Sequence, residues 1–85
     1  MSNEQKEELR RLCLRWLAER AALAFNSSSI HRGVARDLAC TLPEAEASLA
    51  LLLEIGWLKE IPNKLGAIRY YQVSAAGTLA YERGE

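Results

Sequence analysis

The chain is predicted to fold as an α+β domain: three helices, a two-stranded hairpin and a short closing helix. Three observations carry this. An apolar stripe at three- and four-residue spacing runs through residues 4–25. A helix start at Thr41-Leu42-Pro43-Glu44 leads into an apolar run that stops at Gly56. Two short β-prone runs flank a polar turn and are followed by Ser74, a helix cap.

The first helix is expected over 4–25, with Leu9, Leu12, Cys13, Trp16, Leu17 and Ala24 inward. Lys6, Arg10, Arg11, Arg15, Glu19 and Arg20 fall mostly on its wet sides. Glu7 with Arg11 and Arg15 with Glu19 have i,i+4 spacing. Asn26-Ser27-Ser28-Ser29 breaks this helix and offers cap oxygens to a second one over 28–38, with Ile30, Val34 and Leu38 inward. Gly33, a costly residue inside a helix, is expected to permit close helix packing.

In the third helix Thr41 caps, Glu44 reaches back, and Pro43 sits in the first turn where it is tolerated. Gly56 supplies the left-handed exit. Leu42, Ala45, Leu49, Leu52 and Leu53 share one side, and Pro43, Ala47, Ala50, Leu51 and Glu54 the other. Strands follow at Trp57–Ile61 and Ala67–Val73 around the turn Asn63-Lys64-Leu65-Gly66. Ile68, Tyr70 or Tyr71, and Val73 compete for the inner face. The last helix runs from about 75 to 83 and ends at Gly84.

All 85 residues fit one domain, with 1–5 expected to fray. A hydrophobic content of 49% suffices for a core, although so short a chain would gain stability by covering a helix face in a homodimer. Eleven basic and eleven acidic side chains cancel, which argues against strong non-specific DNA binding while leaving room for a local basic patch. No apolar run is long enough to span a membrane, and the polar start is not a targeting peptide, so the cytoplasm is expected. Cys13 and Cys40 are read as reduced, structural thiols. Cys13, His31 and Cys40 match no zinc spacing, so no metal or cofactor is expected, and His31 reads as a surface residue. With no glycine-rich phosphate loop and no nucleophile paired with His and Asp, the chain is not expected to be an enzyme.

The order helix, helix, turn, helix, strand, turn, strand is that of a winged helix-turn-helix. The stretch Leu49-x-x-Leu52-Leu53-x-x-Gly56-Trp57-Leu58 resembles a corner found in MarR-, PadR- and ArsR-like regulators, and Tyr71-Gln72-Val73-Ser74-x-x-Gly77 resembles their strand-to-helix step. The Asn26-Ser-Ser-Ser start and the ending Gly77-x-x-Ala80-x-Glu82-Arg83-Gly84 are similar to small phage and prophage winged-helix proteins. The resemblance covers roughly residues 9–83. It implies a DNA-binding transcriptional regulator whose third helix enters the major groove of double-stranded DNA.

On that resemblance Glu44, Ala47, Ser48 and Leu51 would face the bases, with Ser48 the only ready donor, and Arg32, Arg36, Lys64 and Arg69 would touch phosphates. From Asp37 to Leu58, however, there are four acidic residues and no basic one. The same cations also read as plain surface charges, Arg36 beside Asp37 and Lys59 beside Glu60. Ala47, Ala50 and Leu51, edged by Glu44 and Glu54, suggest an alternative: a protein-binding module that keeps the fold without the DNA role. Tyr71 is expected to pack helix against wing, with base stacking the other option.

Overall fold

A computed structural model describes residues 1–62, 66 and 68–84. Its elements are α1 (Asn3–Ala18), β1 (Phe25–Asn26), α2 (Ser27–Val34), α3 (Leu42–Glu54), β2 (Leu58–Ile61), β3 (Tyr70–Val73) and α4 (Ala75–Glu82). The strands form one antiparallel sheet in the order β1-β3-β2, so β3 is central. This is the expected α+β winged-helix architecture, with a third strand added.

The start of α1 is capped rather than frayed. Ser2 Oγ accepts from the Gln5 amide, and the Gln5 side chain accepts from the Ser2 amide, a reciprocal box that ties down residues expected to be loose. The helix also ends earlier than its composition suggests, at Ala18 rather than residue 25. Tertiary contacts overrule local propensity here. Phe25 leaves the helix to pair with Tyr71 in the sheet, and its ring meets Trp16 edge-on at 4.7 Å between centroids. The Gln72 side-chain amide donates to the Ala21 carbonyl at 2.7 Å and holds the intervening turns.

Asn26 is both the end of β1 and the cap of α2, its side chain accepting from the Ser29 amide at 2.9 Å. That helix ends at Val34, four residues short of expectation. Gly33 permits a close approach: an added Cβ would overlap Nε1 of Trp16. Arg20 caps the outer side of the same ring, its guanidinium carbon 4.2 Å from the ring centroid. On α1 the buried set is Leu9, Leu12, Cys13, Leu14 and Leu17, so Leu14 joins the core while Trp16 is only half-buried.

The capping box of α3 forms as expected. Glu44 Oε1 accepts from the Thr41 amide at 2.8 Å, and Thr41 Oγ1 accepts from the Glu44 amide at 3.3 Å. These bonds hold the Glu44 carboxyl below its ordinary range. At the other end Gly56 has φ 87°, the Trp57 amide donates to the Leu52 carbonyl at 3.0 Å, and the Gly56 amide donates to that of Leu53 at 3.1 Å. This is a complete Schellman closure.

In the hairpin Leu58 pairs with Val73 and Ile61 with Tyr70. That register puts Tyr71 and Val73 inside, leaves Tyr70 half-buried and turns Ile68 outward. Asn63, Lys64 and Leu65 of the expected turn lie outside the described residues.

The step into α4 is packed on the turn after α3. The Ser74 amide donates to the Trp57 carbonyl at 3.0 Å, Ser74 Oγ donates to the Gly56 carbonyl at 2.6 Å, and the Gly77 amide donates to Ser74 Oγ at 3.0 Å. A Cβ on Gly77 would overlap the Trp57 carbonyl oxygen. Backbone cannot swing away as a side chain can, so Gly77→Ala is expected to lower stability by about 2 kcal/mol or more in urea unfolding. Gly33→Ala should cost less, because the Trp16 ring can turn. A Gly77→Ala variant as stable as the parent would contradict this packing.

Cys13 is fully buried, and burial, with Cys40 nearby, pushes its thiol from an ordinary 9.0 up to about 12. Between those values the folded chain keeps a proton that the unfolded chain releases, so this group's contribution to stability is complete below pH 9 and is lost as pH rises toward 12. Cys13→Ala should be less stable at neutral pH yet decline less steeply above pH 9, measured by urea unfolding at successive pH values. Parallel declines would contradict the assignment.

Candidate nucleic-acid interface

The solvent side of α3 follows from its burial. Ala45, Ser48, Leu49 and Leu52 face the core. Pro43, Glu46, Ala47, Ala50, Leu51 and Glu54 are left exposed. The expected apolar trio Ala47, Ala50 and Leu51 is therefore exposed together, Leu51 at 38%. Its members nonetheless look in two directions. Ala47 and Leu51 border the N-terminal half of α1, whereas Ala50 borders α2 and the wing.

Ser48 corrects the sequence reading. It is 6% exposed and turned toward α1, so it cannot meet a base edge. At 100° per residue it lies about 40° from the buried Leu52 and about 60° from Ala45, at the edge of the core face. Treating it as outward rotates that face by roughly a quarter of a turn. Without Ser48, the exposed face of α3 offers no side-chain donor to a base, only acceptors at Glu46 and Glu54.

The cations divide into tied and free. Arg11 pairs with Glu7 at 3.4 Å as the spacing predicts. Arg15 does not reach Glu19; it crosses to Asp37 in the turn after α2 at 3.2 Å, so Asp37 is not Arg36's partner. Glu60 pairs with Arg69 at 3.3 Å rather than with Lys59. Arg32 is exposed and near Ser29 Oγ at 3.4 Å. Arg36 is exposed and forms no ion pair among the described residues. Lys64 lies outside the described residues. Exposed pairs such as Arg69 with Glu60 are worth at most about 1 kcal/mol, so a stronger anion can capture the Arg.

Arg69 faces a groove of about 490 Å³ between the start of α2, α3 and the wing. Asn26, Ser27 and Ser28 line one wall, and Glu46 and Ala50 the other. Ser27 Oγ donates to Glu46 at 3.2 Å, which sets a carboxylate beside the positive end of α2. Arg32 and Arg36 do not line this groove. Tyr71, at 7% exposure, is packed in the core and only edges this groove.

His31 is half-buried rather than on the surface, with Nε2 2.7 Å from the Cys40 carbonyl. Among the described residues no group of three His, Cys, Asp or Glu side chains is placed to hold a metal. No described helix is long and apolar enough to cross a membrane.

No family model matches the chain, and no curated protein matches it. Among solved structures it is similar to the crystal structure of SSV1 F-93, with a TM-score of 0.72 and 12% sequence identity over 88% of this chain and 79% of that one. At such identity the likeness is one of fold alone. It supports a winged-helix-like fold and lends no support to a narrower tie with MarR-, PadR- or ArsR-like regulators.

Proposed function

We propose that this chain is a small winged-helix DNA-binding regulator, of viral or prophage type, acting in the cytoplasm as a homodimer. The observation that carries the reading is the winged-helix architecture shared with SSV1 F-93 across most of both chains. Arg32 and Arg36 on the α2 side and Arg69 on the wing side supply phosphate contacts that flank α3. Because the exposed face of α3 carries no donor, selectivity rests on DNA shape and deformability rather than on base-edge hydrogen bonds. Ile55 and Leu79 stay half-exposed in one copy, apolar area that a homodimer would cover.

One observation favours a second reading. The acidic and apolar surface made by Glu46, Ala47, Ala50, Leu51 and Glu54 is poorly matched to a phosphate backbone and well matched to a protein partner. A winged helix that binds protein through α3 would need no cation there.

The two readings separate in a salt series. Retention on a mixed pool of duplex DNA is expected near 50 mM salt and should fall steeply by 200 mM. Arg32→Glu/Arg36→Glu should abolish it while leaving the unfolding midpoint unchanged. No retention by the parent chain at the lowest salt would overturn the DNA reading and favour the protein one. Releasing Arg69 from its ion pair makes an independent check: Glu60→Gln should tighten DNA binding several-fold at low salt, read by fluorescence anisotropy. Unchanged or weaker binding would remove Arg69 from the interface.

A further inference from the structure

Between the N-terminal half of α1 and the flank of α3 lies a half-open groove of about 170 Å³. That is close to an engineered apolar cavity of about 150 Å³ that admits benzene. Leu9, Ala47 and Leu51 give it apolar walls, and Lys6, Arg10 and Ser48 give it donors.

Ser48 is the informative residue. It is more than nine-tenths buried, yet its hydroxyl has no hydrogen-bond partner among the described residues. No described side-chain polar atom is both sealed from solvent and unpartnered, so the hydroxyl opens onto the groove that Ser48 lines. A mid-helix Ser ordinarily bonds the carbonyl four residues back, and this one instead opens onto the groove. Arg10 is half-buried and Lys6 exposed, and neither forms an ion pair among the described residues. Glu44 also lines the groove, but its carboxylate is engaged by the Thr41 amide and hydroxyl at 2.8 and 3.1 Å.

Arg10, Lys6 (whose charge also acts on the Glu44 carboxylate) and an unused hydroxyl beside a dry wall are complementary to one chemistry. We propose that this groove binds a small amphipathic carboxylate, its head on Arg10, Lys6 and Ser48 Oγ and its tail on Leu9, Ala47 and Leu51. The volume suits a tail of about six carbons. The site stands whether or not the chain binds DNA.

Sodium hexanoate is the direct probe, titrated into the ¹⁵N-labelled chain at constant ionic strength, with 1-hexanol and sodium acetate as controls. Saturable shifts are expected at the amides of Leu9, Arg10, Ala47, Ser48 and Leu51, with a dissociation constant on the order of a millimolar for so small a ligand. Hexanol lacks the charge and acetate lacks the tail, so each should bind roughly tenfold more weakly or not at all. Arg10→Gln should weaken hexanoate by roughly tenfold. Ser48→Ala should weaken it several-fold with the unfolding midpoint unchanged, since the folded chain does not use that hydroxyl. Linear shifts without saturation, hexanol binding as tightly as hexanoate, shifts centred on Ile55 and Trp57, or full affinity in Ser48→Ala would each overturn the proposal.

Discussion

The carbonyl group of Trp57 is the point on which this fold closes. It accepts the amide of Ser74, and the bare Cα of Gly77 lies against it. One residue earlier, the Gly56 carbonyl takes the Ser74 hydroxyl, and the same hydroxyl caps α4 through the Gly77 amide. The turn that ends α3 and the turn that begins α4 are thus one hydrogen-bonded unit, although 18 residues separate Gly56 from Ser74. A left-handed Gly56 is needed to present these carbonyls, and a side chain at Gly77 would push them apart. The hairpin between them is held at both roots, so its register and the angle of α3 are set together.

This closure determines what α3 can show to a partner. With Leu49, Leu52 and Ala45 driven inward, an acidic and apolar face is turned to solvent, and the cations lie elsewhere. Several of those cations are already engaged: Arg15 with Asp37, Arg20 over Trp16, Arg69 with Glu60. Arg32 and Arg36 are exposed and form no ion pair among the described residues. A phosphate backbone could meet this protein on either flank of α3 more readily than along it. Balanced charge then acts through geometry: at physiological salt, where the screening length is about 8 Å, a local pair of arginines can attract phosphate while Glu46 and Glu54 discourage deep entry of α3.

What was legible in the sequence is what short-range chemistry decides. The Thr41 and Glu44 box, the Gly56 exit, the Ser74 cap and the Gly33 contact each involve a residue type suited to one local task, and each forms. What was not legible depends on residues far apart in the chain. Nothing local ends α1 at Ala18; Trp16 and β3 do so by capturing Phe25. Arg15 finds Asp37 instead of Glu19 because α2 brings Asp37 within reach. The orientation of Ser48 was misread because a helix that is apolar almost all round gives little contrast between its faces. The groove against α1 is not legible in the sequence because it exists only once two helices are packed.

On the proposed DNA-binding reading, DNA meets the flanks of α3 and not its exposed face. Chemical-shift mapping of the labelled chain with a short duplex of arbitrary sequence at low salt tests it most directly. Shifts are expected at Arg32, Arg36 and Arg69, with little change at Ala47, Ala50 and Glu54. Absence of any shift, or shifts centred on Ala47, Ala50 and Glu54, would contradict it.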